Sequence, residues 1–152
     1  LSLLFAFNIK YMVQQFRYRQ PLSYLSGELT RDQYIARYRP EYPVIQELNT
    51  ATRTGDKVLA VFLGDRRYYF EQEVRFTRGL LAKYITESAS SAELGQKLKQ
   101  EGFTHVIVRY DLVNNWVNNN FSDTERYIVT DFFVRRTTLI KRVDRYGAYR
   151  IH

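Results

Sequence analysis

With 152 residues the chain is long enough for one domain with a proper core, and a composition of 45% hydrophobic and 26% charged residues is that of a globular protein rather than a disordered one. There is no cysteine, which excludes a disulfide framework and thiolate metal sites. A formal charge of +7, carried by 23 basic residues of which 17 are arginine, invites anionic partners such as nucleic acid, lipid head groups or sugar phosphates.

The chain opens with Leu1-Ser2-Leu3-Leu4-Phe5-Ala6-Phe7, an apolar run with no initiator methionine. Seven residues at helical rise cover about 10 Å, against roughly 30 Å of bilayer core. The run cannot span a membrane by itself; it reads as the last turns of a membrane helix, or else as the start of an amphipathic helix in a complete domain. Leu1–Phe16 is expected to be helical, with apolar positions nearly all round it, as suits lipid. On the first reading, residues 1–16 end a membrane or juxtamembrane helix and 17–152 form a single soluble α/β extracytoplasmic domain. Deleting Leu1–Phe7 should then improve solubility and leave the thermal midpoint almost unchanged.

Further along, Thr30-Arg31-Asp32-Gln33 pairs a hydroxyl with an amide three residues on, the signature of a capped helix start, and Tyr34, Ile35 and Tyr38 share one face behind it. A second helix is expected from Pro43 to about Thr52, with Val44, Ile45 and Leu48 inward. Val58–Leu63 is a continuous apolar run, the mark of a strand covered on both faces. Tyr68–Phe70 and Val74–Phe76 read as short strands. Ser90-Ser91-Ala92-Glu93 caps another helix that Gly102 stops, and Val106–Val108 is a second doubly covered strand. About 40 residues separate the two apolar strands, room for a crossover, so they are expected to run parallel. The asparagine-rich Asn114–Asn120 reads as an irregular loop with Trp116 tucked in. Ser122-Asp123-Thr124-Glu125 starts a last helix. Thr138–Asp144 and Ala148–Ile151 form an antiparallel hairpin around Arg145-Tyr146-Gly147. The expected fold is α/β: a layered sandwich with a mixed, partly parallel sheet and a C-terminal edge hairpin.

The chemical inventory is thin. After the first apolar strand, Leu63-Gly64-Asp65-Arg66-Arg67 has one glycine where a dinucleotide fingerprint needs three, and no Walker-type loop occurs. His105 starts a buried strand and reads as a satisfied residue at the core edge. No GxSxG is present. Neither a catalytic residue, a metal site nor a cofactor can be assigned. The best candidate surface follows from topology: two parallel strands put their carboxyl ends on one edge, where open α/β sheets place ligands. That edge would carry Asp65, Arg66, Arg67, Tyr68 and Tyr69 from one loop and Arg109, Tyr110, Asp111 and Trp116 from the other. Arginine with aromatic side chains suits a sugar phosphate or a lipid head group. Charge reversal at Arg66 and Arg67 is expected to leave the domain folded, as exposed substitutions do.

The order of short segments adds one resemblance. Tyr24-Leu25-Ser26-Gly27-Glu28 precedes Arg31-Asp32-Gln33-Tyr34-Ile35, then Tyr42-Pro43 and Glu47-Leu48-Asn49. Gly55-Asp56-Lys57-Val58-Leu59, Tyr68-Tyr69-Phe70 and Gly102-Phe103-Thr104-His105-Val106-Ile107-Val108 follow. This series, over most of residues 20–110, resembles the C-terminal extracytoplasmic domain of bacterial membrane glycosyltransferases of the GT-C type, similar to the dolichyl-phosphate-mannose–protein mannosyltransferases. The resemblance implies a polyprenyl-phosphate-sugar-dependent enzyme at the periplasmic face of the bacterial inner membrane. Its catalytic acids belong to an early loop between membrane helices that this chain lacks, so no catalytic residue carries over and the isolated domain is expected to be inactive. The implied partners are the missing N-terminal membrane domain, and a polyprenyl-phosphate sugar or anionic lipid. No nucleic acid is expected, although a basic nucleic-acid-binding α/β module and a soluble nucleotide-binding-like enzyme domain remain the alternatives.

Overall fold

A computed structural model describes residues 2–152, with side chains from Phe5 onward. The expectations for the side chains of Leu1, Leu3 and Leu4 lie outside the described residues. The chain divides into two compact units, residues 1–39 and 40–152. The division falls further along than the boundary after residue 16 read from the sequence.

The first unit is helical: α1 (Ser2–Arg19), α2 (Pro21–Leu25) and α3 (Arg31–Tyr38). Gln20 takes a left-handed φ of 42°, which turns the chain between α1 and Pro21. The expected cap forms: Thr30 Oγ1 accepts from the Gln33 amide at 3.2 Å, and Gln33 Oε1 accepts from the Thr30 amide at 2.9 Å. The tyrosines of α3 then satisfy the open end of α1. Tyr34 Oη donates to the Arg19 carbonyl (2.8 Å) and Tyr38 Oη to that of Tyr18 (2.9 Å). Among the described residues no helix is long and apolar enough to cross a membrane.

The second unit is the α/β sandwich that the sequence predicts. Its elements are α4 (Tyr42–Ala51), β1 (Lys57–Val61), β2 (Glu73–Phe76), α5 (Gly79–Thr86), α6 (Ser91–Gln100), β3 (His105–Arg109), α7 (Tyr110–Asn120), α8 (Asp123–Arg135), β4 (Thr137–Val143) and β5 (Tyr146–Ile151). The sheet order is β2-β1-β3-β5-β4. β1 lies parallel to both β2 and β3, with Leu59 opposite Val106, and β5 runs antiparallel to β3 and β4. The expected parallel pair and edge hairpin are both present.

Continuous apolar strands follow from cover on two faces. Val58 and Ala60 of β1, with Ile107 of β3, meet Val44, Ile45 and Leu48 of α4 on one side. The alternate residues Leu59, Val61, Val106 and Val108 meet α5 to α8 on the other, among them Leu94, Leu98 and Phe132. Each fully buried side chain of this size contributes about 1.5–3 kcal/mol of transfer free energy.

Several local expectations need correction. Tyr68–Phe70 is not a strand: Arg67–Tyr69 forms one 3-10 turn, because Asn49 at the end of α4 pins that loop, donating to the Tyr69 carbonyl at 2.9 Å. The asparagine run is not a loop but the body of α7. Val113 and Val117 are one helical turn apart and buried, and packing overrides the weak propensity of asparagine. Its side chains are turned back into the helix, with Asn119 donating to Asn115 and Asn120 to the Trp116 carbonyl. The hairpin turn is shorter and begins one residue earlier than expected, at Asp144-Arg145, where Asp144 takes φ 49° and Val143 pairs with Tyr146. α5 escaped the sequence reading, since it carries no side-chain cap. The Ser90 cap is real but not reciprocal: Glu93 reaches past Ser90 to the Ala89 amide. α6 ends as expected at Gly102 (φ 86°), where the Gly102 and Phe103 amides return to the carbonyls of Lys99 and Leu98.

Candidate functional site at the carboxyl edge of the sheet

Three parallel strands, β2, β1 and β3, point their carboxyl ends the same way. The sequence-derived candidates do collect on that edge, in two groups with different chemistry.

The arginines of the first loop turn inward. Arg66 lies 2.5 Å from Glu41, whose carboxylate is only 2% exposed, and also donates to the Leu63 carbonyl. Arg67 is exposed but donates to the Val74 carbonyl at 3.1 Å. Arg66 is thus the counter-ion of a buried acid, and reversing its charge would not leave the domain intact, contrary to the expectation for an exposed residue. Tyr68 is exposed, with its ring 4.3 Å from that of Tyr69, which in turn packs edge-on against Tyr42. Asp65 is exposed beside Gly64, which takes φ 69°.

The second group forms a closed network. Arg109 grips Asp111 with two bonds of 2.9 Å, and Arg145 joins from the hairpin at 3.3 Å. The Arg109 hydrogen bonds are the main reason that the Asp111 carboxyl is held down to about 2. Tyr110 Oη meets Tyr149 Oη at 2.6 Å while Arg142 stacks on the Tyr110 ring. Burial, then the Tyr110 bond, drives the Tyr149 hydroxyl well above the usual phenol range. Trp116 packs edge-on against Phe121 and Phe62.

Phe62 is where the two groups meet, and it is the residue that the sequence reading missed. It follows β1 directly, is half-buried, and holds φ 61°. A bulky residue in the left-handed region costs of order 1–3 kcal/mol and persists only where its surroundings impose it. One side of its ring faces Trp116 at 5.7 Å; the Arg78 guanidinium lies 5.8 Å from its centroid. Arg78 was missed as well, because it sits between β2 and the unrecognised α5. With Gly64, Asp65 and Thr77 it borders an open cleft of about 220 Å³ between the ends of β1 and β2. Among the described residues no carboxylate lies within ion-pair distance of Arg78. A hydrophobic residue followed by Leu-Gly after an apolar strand is the faint signal that could have marked Phe62.

His105 sits at the opposite edge and is 2% exposed. Its Nδ1 lies 2.8 Å from Thr104 Oγ1, while Nε2 is buried without a hydrogen-bond partner, so the expected satisfaction is half met. Burial holds its pKa below the ordinary imidazole value. Among the described residues no cluster of His, Asp and Glu could hold a metal ion. No protein-family model matches the chain, and no curated protein matches it.

Proposed function

We propose that this chain is the non-catalytic extracytoplasmic domain of a polyprenyl-phosphate-sugar-dependent membrane glycosyltransferase on the periplasmic side of a bacterial inner membrane. In this reading the membrane part of the protein supplies the chemistry. The cleft beside Phe62 assists recognition of the acceptor or of the donor's sugar phosphate. The order of short segments from Tyr24 to Val108 supports the kinship.

The observation that carries a recognition role is Phe62. A strained aromatic residue at the carboxyl end of a central strand presents its ring between a guanidinium and an indole. Such a surface can stack on the apolar face of a sugar while Arg78 contacts phosphate. Arg66 and Arg109 are already committed to carboxylates, so Arg78 replaces them as the anion contact.

The test is sugar transfer from a polyprenyl-phosphate sugar by membranes containing the full-length protein, with and without Arg78→Ala. The variant should raise KM severalfold, leave kcat nearly unchanged and leave the domain's thermal midpoint in place. Absence of transfer by the full-length protein would sink the enzyme assignment; unaltered KM in the variant would sink the cleft alone. The isolated 152-residue chain should not turn over the donor.

A further inference from the structure

α1 exposes apolar side chains on two sides: Phe7 and Tyr11, 64% and 62% exposed, lie on the same side as Tyr18, and a contiguous stripe lies opposite them. At 100° per residue, Tyr18 falls on the side that meets α3, through its carbonyl bond to Tyr38 and ring contact at 5.8 Å. Phe5, Ile9, Met12 and Phe16 fall in a stripe on the other side, at the spacing of neighbouring turns. These four are 63%, 59%, 68% and 52% exposed. Contiguous apolar side chains exposed to this degree mark an interaction surface rather than ordinary scatter. Lys10 and Arg17 lie together along one border of the stripe. Residues 1–39 as a whole carry six basic and two acidic side chains, a net +4 of the chain's +7.

We infer that this stripe and its basic border form an interfacial docking surface for an anionic lipid bilayer. The helix lies along the surface, with the four apolar side chains below the head groups and Lys10 and Arg17 among the phosphates. Charge decides the occupant. A second copy of the same unit would bring +4 against +4, whereas an anionic leaflet gains about 1 kcal/mol, roughly fivefold in binding, for each basic residue at its surface. An apolar helix carrying basic side chains can lie along an anionic membrane surface. Lipid binding of this kind needs no glycosyl transfer, and stands or falls apart from the proposed function.

The 152-residue chain should co-sediment with vesicles of phosphatidylcholine mixed with phosphatidylglycerol, weakly with phosphatidylcholine alone, and progressively less as salt is raised. Lys10→Ala with Arg17→Ala should reduce partitioning into the anionic vesicles about 25-fold, at roughly fivefold for each residue, with little change for neutral ones. Ile9→Asp with Phe16→Asp should abolish both, while the circular dichroism and thermal midpoint match those of the parent chain. Equal binding to both vesicle types, indifference to the Lys10 and Arg17 changes, or a dimer that persists in the presence of anionic vesicles would each overturn the inference. The assay reads no sugar transfer, so its outcome leaves the glycosyltransferase reading to its own test.

Discussion

The two units use similar residue types to opposite ends. Among the described residues, every side chain of the buried hydrophobic core belongs to residues 42–151, where β1 and β3 are covered on two faces. Residues 5–39 are as rich in aromatic and aliphatic side chains, yet none of α2 or α3 is buried, and α1 exposes Phe, Ile, Met and Tyr alike. What holds the first unit is tyrosine at its surface and a cap: hydroxyls on the end carbonyls of α1, ring contacts among Tyr18, Tyr24, Tyr34 and Tyr38, and one capping box. Apolar composition therefore says little about where a core lies; what matters is whether a second layer exists to receive it. A substitution series should expose this difference directly.

The largest effect is expected from Leu94→Ala in α6. Leu94 is fully buried against the sheet with Leu98, Phe103 and Phe132. Its truncation should cost about 2–5 kcal/mol, read as a shift of the denaturation midpoint followed by hydrogen exchange of the β1 and β3 amides. A loss under 1 kcal/mol would mean that the core of residues 40–152 is far looser than its packing indicates.

Arg66→Ala comes next. Glu41 would keep its carboxylate buried and lose its counter-ion, a change that costs about 3 kcal/mol, the lower end for buried pairs because Arg66 is partly exposed. Glu41→Gln in the same background should recover most of that loss. Failure of this rescue would show that Arg66 acts through its Leu63 bond instead.

Gly147→Ala tests a close approach. A Cβ at this position would collide with Tyr110 Oη and sit only 2.6 Å from its ring. The ring is tied to Tyr149 and lies under Arg142, so it cannot swing aside without losing both. Overpacking of this kind costs about 1–3 kcal/mol, and should shrink when Tyr110→Ser makes room. An equal cost in both backgrounds would place the strain elsewhere.

His105 gives a smaller, pH-dependent effect. Burial lowers its folded pKa below the unfolded value of about 6.5, so the unfolded chain binds the extra proton first. The stability it supports is complete above about pH 6.5 and is lost as pH falls through the folded pKa. His105→Gln should flatten the stability profile over that interval. The same slope in the variant would assign the acid sensitivity to another group.

The layering was legible because it rests on pattern. Val58–Leu63 and Val106–Val108 are apolar without alternation, and only two-faced cover explains that. The crossover length then fixed their direction. What was not legible depended on contacts made across the sequence. Nothing in Asn114–Asn120 signals a helix until Val113 and Val117 find the sheet. Nothing in Arg66 reveals that Glu41, a quarter of the way along the chain, is buried beneath it. The site suffered most from this, because arginines read as free cations had partners already. Phe62 and Arg78, which carry the proposed recognition, were nearly illegible, Phe62 because backbone strain leaves little mark on residue type and Arg78 because the helix it precedes has no side-chain cap.

The smallest change is expected where the sequence looks most hydrophobic. Ile9 is 59% exposed in the middle of α1, so removing its side chain deletes little buried area and opens no cavity. Alanine is also the better helix former, which offsets part of what is lost. Ile9→Ala should therefore change the stability of the chain in water by no more than about 0.5 kcal/mol, against several for Leu94→Ala, although both replace a branched aliphatic residue of a helix by alanine. The thermal midpoints of the two variants, measured side by side, decide it. If the Ile9 variant melts as early as the Leu94 variant, α1 has a second layer after all, and the contrast between the units disappears. If its midpoint holds while partitioning into anionic vesicles falls, the apolar stripe serves a surface outside the fold.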